Sequence, residues 1–371
     1  ITVASALTSS STYNLTLSSA SDIIINATIT RSGTGGLILL PESGIASGTG
    51  SIALSGGSTL SLGQGTNLST GVSLGTGGAT MKLTGTSAEV SGVISGTGVL
   101  NINATGGSLT LSGANTYGSN SNTNLYGGTL VLLSSPGANC VFESKAAGTT
   151  FDFRTNISSW WIGSATAANA PNIIVASGVT VSENSSQAAG NLYYNGLSGA
   201  GTLTLNSFSG DAYVVGAAQV ANLTFNQVLY IGTGGSTGSL LSGNVSSRVV
   251  TLNSTTDYTF SGVLSGSGAL TQSGTNTVTF SGTNTYTGTT SINGGVLSLG
   301  SSGALGTTGT ISFAGGTLQY SANNTIDYSS RFSNAASQAY SIDTNGQSVT
   351  LASALTSSSG TFSKRGAGTL T

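Results

Sequence analysis

Histidine is absent from this chain, and cysteine occurs once, at Cys140. Without histidine the commonest general base and metal ligand is missing. No Ser-His-Asp or Cys-His arrangement can be assembled. A single cysteine excludes an intramolecular disulfide. Cys140 reads as a small core residue, because a reactive thiol wants cationic neighbours and the nearest in sequence is Lys145. Charge is scarce as well: 5% of 371 residues, eight basic and ten acidic, for a net charge of -2. That balance makes no field able to gather nucleic acid or an anionic membrane surface. No apolar run reaches the roughly 18 residues a transmembrane helix needs, and no basic stretch followed by an apolar one opens the chain. The Ca²⁺-binding nonapeptide GGxGxD is missing. Strings such as GTGG are turns, since no GxxxxGK[ST] follows them.

What the chain has instead is glycine, 57 of it, set among Ser, Thr, Asn and aliphatics, with 37% hydrophobic residues. Disorder goes with low hydrophobicity and high net charge, and neither applies. The apolar residues are mostly Leu, Val and Ile beside Thr, which suit a pleated surface. The chain also repeats itself. VSGVISGTGVLNINATGGSLTLSGANTY, from Val90, matches FSGVLSGSGALTQSGTNTVTFSGTNTY, from Phe260, once one residue is skipped. Both continue into a Gly-Gly turn and an apolar strand. Shorter copies are GLSGAGTLTLN at Gly196 to Asn206 and KRGAGTLT from Lys364. The chain opens ITVASALTSS and reads VTLASALTSS from Val349. This recurrence is either a tandem period or a favoured phrase of the repeat. GAGTLT stops at Thr371 where its earlier copy runs on, so an interior segment of a longer repetitive protein is expected.

Stretches such as SLTLSG, TVTFSG and GVLSLG alternate apolar and polar, so one face is buried and one solvated. The outer face is Ser, Thr and Asn. Gly-rich turns separate the strands and supply left-handed backbone at no steric cost. A sandwich does not usually repeat one phrase along a whole chain. A solenoid does, because each coil buries its apolar face only against its neighbours. In a parallel solenoid like residues stack in rows, and charged rows would repel. With coils of about 20 to 25 residues, the expectation is roughly 15 to 18 coils. At about 4.8 Å per strand, they make a rod of roughly 70 to 90 Å. One continuous β-solenoid over residues 1–371 is expected, with diverged coils or insertions around 134–195 and 207–259.

SGSGALTQSGTNTVTFSGTNTYTGTTSINGGVLSLG, Ser265 to Gly300, resembles the autotransporter-associated β-strand repeat. The likeness is close over Phe260 to Gly316, good over Val90 to Leu133, partial at Gly196 to Asn206, and resumes at Lys364. It implies an all-β, right-handed parallel β-helix in the secreted passenger region of a bacterial surface protein. Such proteins are often adhesive or structural and are exported to the cell surface.

Parallel β-helices also include polysaccharide-cleaving enzymes, whose sites need paired carboxylates. The ten acids here are dispersed and read as isolated surface charges at turns. Asp22 and Glu42 could stack on neighbouring coils. The one local anomaly is TTFDFRTNISSWWIGSATAANAP, Thr149 to Pro171, with Trp160, Trp161, Asp152 and Arg154. Adjacent strand residues point to opposite faces, so one Trp is expected inside and one outside. The pair is either an aromatic platform for a glycan or partner molecule, or filling for a wide coil. No cofactor and no catalytic residue is read from the sequence. Three functions follow: a non-catalytic stalk, spacer or fibre unit that stacks head-to-tail or self-associates; an adhesin binding glycan or a host or matrix surface; and a polysaccharide-degrading enzyme.

Overall fold

The structure is a computed structural model. It describes residues 1–41, 45–117, 122–134, 140–147, 149–155, 157–163, 170–177, 179–183, 192–205, 212–214, 218–231 and 244–371. No α-helix occurs among them, and every strand pairing in named strands is parallel. The chain divides into two units, Ile1–Ala188 and Ala189–Thr371.

In the first unit three ladders run side by side. One takes in strands Ile23–Ile25, Ile45–Ser47, Asn67–Leu68, Ser87–Val90 and Ser108–Leu111, and continues to Thr129–Leu132, Thr150–Phe153 and Asn172–Val175. A second is built from Leu7–Ser9, Ile29–Arg31, Ser51–Leu54, Gly71–Leu74 and Ile94–Gly96. The third links Leu15–Ser19, Gly36–Pro41, Ser58–Leu62, Ala79–Leu83 and Leu100–Asn103, then Asn122–Leu125 and Cys140–Ser144. Each coil contributes a strand to every ladder it meets, which is the parallel β-solenoid the alternation predicts. The second unit repeats the plan. One of its ladders joins Tyr258–Phe260, Thr277–Phe280, Val296–Leu299, Thr317–Gln319, Ala339–Asp343 and Thr361–Arg365.

The period-two pattern gives the core directly. Leu37, Leu60, Met81, Ile102 and Leu125 follow one another in register and are fully buried. In the second unit Val278, Leu297, Leu318 and Ile342 form an equivalent column. Neighbouring columns add aromatic contacts, such as Phe260 on Phe280 at 5.2 Å, edge to face, an arrangement worth about 0.5–1.5 kcal/mol beyond burial. Because each apolar face is covered only by the coil before and after it, the stack holds together as a cooperative set.

The solenoid has about 14 turns, fewer than the 15 to 18 expected. Thr317 and Ser341 are in contact across 24 residues, because the chain between them makes an isolated bridge from Ser321 to Asn324 and a 3-10 turn at Ser329–Arg331. Where the chain keeps to the ladder the step is shorter, 20 residues between Leu264 and Asn284.

Candidate functional site

The recurring phrase SGxNTY builds a corner. In SGANTY, the Asn115 side-chain oxygen accepts the backbone N–H of Ile94, one coil earlier, at 2.8 Å. The Thr116 and Tyr117 N–H groups both donate to the Ile94 carbonyl. SGTNTY repeats the arrangement: Asn284 accepts from Leu264 at 2.7 Å, and Thr285 and Tyr286 donate to the Leu264 carbonyl. The following tyrosine is buried in both copies, and the Tyr286 hydroxyl lies 2.7 Å from Thr290 Oγ1. The glycine is equally constrained. A Cβ on Gly113 would overlap the Gly92 carbonyl, and one on Gly282 the Gly262 carbonyl. Sequence reading took this phrase as a repeat marker and missed its role as a coil-to-coil clamp. The signal was the paired recurrence of Asn and Tyr at fixed spacing.

Outward positions form rows of short polar side chains. Thr59, Thr80, Asn101 and Asn124 follow in register, with Asn124 donating to Asn101 at 2.9 Å. Ser312 donates to Ser291 at 3.2 Å. Acids join these rows. Asn67 donates to Glu89 at 3.4 Å, and Ser112 donates to the other Glu89 oxygen. Gln319 donates to Asp343 at 2.9 Å, and Arg365 stands opposite Asp343 in register. Glu89, Glu143, Asp152 and Asp343 lie in strands, which corrects the expectation that the acids sit at turns. An outward strand position suits a charge when the next coil offers an amide, a hydroxyl or an opposite charge. Asp22 accepts from the backbone N–H of Ile45 at 2.9 Å; Glu42 lies outside the described residues.

The four residues singled out in the sequence fall on two ladders. Asp152 is in Thr150–Phe153, where it pairs with Arg154 at 2.9 Å. The hydrogen bond to Asp152, then its charge, hold the Arg154 guanidinium above its ordinary pKa. Lys145 and Glu143 make a similar local pair at 2.6 Å. Such surface pairs contribute about 0–1 kcal/mol. Trp160 and Trp161 belong to Ile157–Gly163, with Trp161 opposite Val141. Their side chains, like that of Cys140, lie outside the described residues.

Burial is the largest influence on the phenols of Tyr258, Tyr286 and Tyr320, and raises all three. Burial also pushes the Asp327 carboxyl up, but hydrogen bonds from Ser329 and the Ala352 N–H outweigh it and leave the pKa lowered. Among the described residues no three His, Cys, Asp or Glu side chains gather as a metal site, and no helix is long and apolar enough to cross a membrane.

One groove stands out on the first unit. It crosses the corner between strands Leu100–Asn103 and Ser108–Leu111 and their successors in the next coil. It is open to solvent, with a volume of about 600 Å³. Tyr126 lies on it, 45% exposed.

Comparison with known proteins gives one result. The chain has no match among curated proteins and none among solved structures. A family model described as passenger-associated-transport-repeat matches residues 198–216 and 270–299. Those stretches overlap two of the four places where the sequence phrase recurs, and 270–299 carries the SGTNTY clamp. Residues 198–216 and 270–299 therefore match the passenger-associated-transport repeat, a repeat of autotransporter passenger domains, in a chain whose strands stack as a parallel β-solenoid.

Proposed function

We propose that this chain is a non-catalytic, load-bearing segment of a secreted or cell-surface passenger, serving as stalk, spacer or fibre unit. The observation that carries this reading is the pairing itself. Successive coils are joined by parallel ladders on several sides, so extension or bending must break many backbone hydrogen bonds together. The surface supports the same reading. Rows of short polar side chains pair between coils, as at Ser291 and Ser312, and leave little charge to repel a neighbouring copy. Self-association along these rows, side by side or head-to-tail, is the partner interaction the reading expects.

Atomic force microscopy of the purified chain tests the mechanical part. Stiff, straight particles of uniform width are expected. Compact globules, or beads on a flexible string, would contradict it. Sedimentation over a hundredfold concentration range tests self-association; a single monomeric species throughout would remove that part. The adhesive reading has one specific observation in its favour, the groove beside Tyr126.

A further inference from the structure

We propose that the Tyr126 groove is a binding site for a neutral oligosaccharide. The first argument is the lining. Thr86, Thr105, Ser108, Tyr126 and Thr129, with glycines and Ala147, form it, and none carries a charge at neutral pH. The nearest cation, Lys145 beside Tyr126 in the next coil, is paired with Glu143 at 2.6 Å, so the lining itself offers a charged ligand no counter-ion. The second is the aromatic residue. The position before the Gly-Gly turn is Thr105 in the preceding coil, and Asn293 and Ala314 in coils of the second unit. Only here among these four does a ring occupy it, 45% exposed. A tyrosine offers an apolar body with a polar tip, the chemistry that covers the C–H face of a pyranose and reaches its hydroxyls.

The third argument is unspent hydrogen-bonding capacity. The Ser108 and Thr129 backbone N–H groups are used in the ladder, but among the described residues their hydroxyls have no partner. Each can donate and accept, which matches sugar hydroxyls better than any single-sense ligand. The fourth is shape. Gly106 at φ +80° has open space where a Cβ would stand, and Gly127 leaves room for the Thr105 hydroxyl. The missing side chains keep the groove open across neighbouring coils. Its volume of about 600 Å³ lies within the range of about 300–1,000 Å³ typical of ligand sites. A groove open along its length takes an extended chain rather than a single enclosed sugar.

The test is calorimetric titration of the full chain with cellohexaose, the N-acetylglucosamine hexasaccharide and a galactose hexasaccharide, with a heparin hexasaccharide as charged control. Saturable binding of at least one neutral hexasaccharide is expected. Tyr126→Ala should weaken it about tenfold, a change of one decade in Kd, while Tyr126→Phe should stay within about threefold. Tyr126 is exposed at a corner, so both variants should keep the far-ultraviolet circular dichroism of the parent. The proposal is overturned if no neutral hexasaccharide binds saturably, if Tyr126→Ala binds like the parent, or if the heparin fragment binds more tightly. None of these failures would touch the load-bearing reading, which rests on the ladders.

Discussion

The side-chain oxygen of Asn284 accepts the backbone N–H of Leu264 at 2.7 Å, in a buried setting 20 residues away along the chain. The same side chain donates to the Ala304 carbonyl at 2.6 Å, one coil in the other direction. One asparagine thus ties three coils together where the ladder turns a corner. Each buried group left without its partner costs about 1–3 kcal/mol, so Asn284→Ala, which strands two, should lose about 2–6 kcal/mol in chemical denaturation. Asn284→Asp can still accept but, ionised, cannot donate. Burial raises that carboxyl's pKa in the folded state. The variant's stability should therefore be greatest below the unfolded carboxyl value of about 3.9 and fall as pH rises through the folded value. A pH-independent loss would contradict the assignment.

The glycine two positions earlier gives a second contrast. A side chain at Gly282 meets the Gly262 carbonyl, whereas Gly106 has nothing near it and differs only in its positive φ. Gly106→Ala should cost about 1–2 kcal/mol, the price of left-handed backbone. Gly282→Ala must push two coils apart, and should cost at least the upper end of the roughly 1–3 kcal/mol of an overpacked site. Equal melting temperatures for the two variants would show that the coils are not in close contact there.

The buried tyrosines set an alkaline limit. The folded pKa values of Tyr258, Tyr286 and Tyr320 are raised by burial, so their contribution is complete below the unfolded value of about 10. Above that pH the unfolded chain gives up protons the folded chain keeps, and stability falls. Asp327, with its lowered pKa, acts at the other end, losing its contribution below about pH 3.9. With no histidine in the chain, unfolding free energy should be nearly flat from pH 5 to 9. A marked midpoint near pH 6.5 would contradict this.

The outer rows explain the scarcity of charge. Ser291 and Ser312 stack with their hydroxyls 3.2 Å apart. Replacing both with lysine places like charges directly opposite, a loss of about 0.2–1 kcal/mol that added salt should relieve. The Ser291→Lys, Ser312→Asp pair should be close to neutral. If the two doubles behave alike, row electrostatics do not govern the surface.

Much of this was readable in the sequence. TVTF at 277–280 alternates, and the structure buries Val278 and Phe280 while Thr277 and Thr279 are half-buried. Repetition then selected stacking over a sandwich. The recurrence of Asn and Tyr marked the clamp, but its partner was not readable, because Asn284 looks like one more turn residue until Leu264, a coil away, is placed against it. Nor was the placement of charge: Asp343 and Arg365 lie far apart in sequence and meet only through the register. The excursion between Leu318 and Ile342 was not readable either, since no local pattern marks a departure from the ladder. Tyr126 was passed over because a single tyrosine before Gly-Gly carries no periodic signal.

Coils hold one another through backbone ladders closed at the corners by side chains. Amide hydrogen exchange on the intact chain tests it most directly. The N–H groups of Val72, Ala79 and Leu270 donate to the next coil, and those of Ile94 and Leu264 donate to the clamp asparagines. All five should exchange at least about a thousandfold slower than free peptide, as expected for groups released only by cooperative opening. Fast exchange at Ile94 and Leu264, with the ladder amides protected, would remove the clamp. Fast exchange at all five would contradict the stacked-coil structure itself.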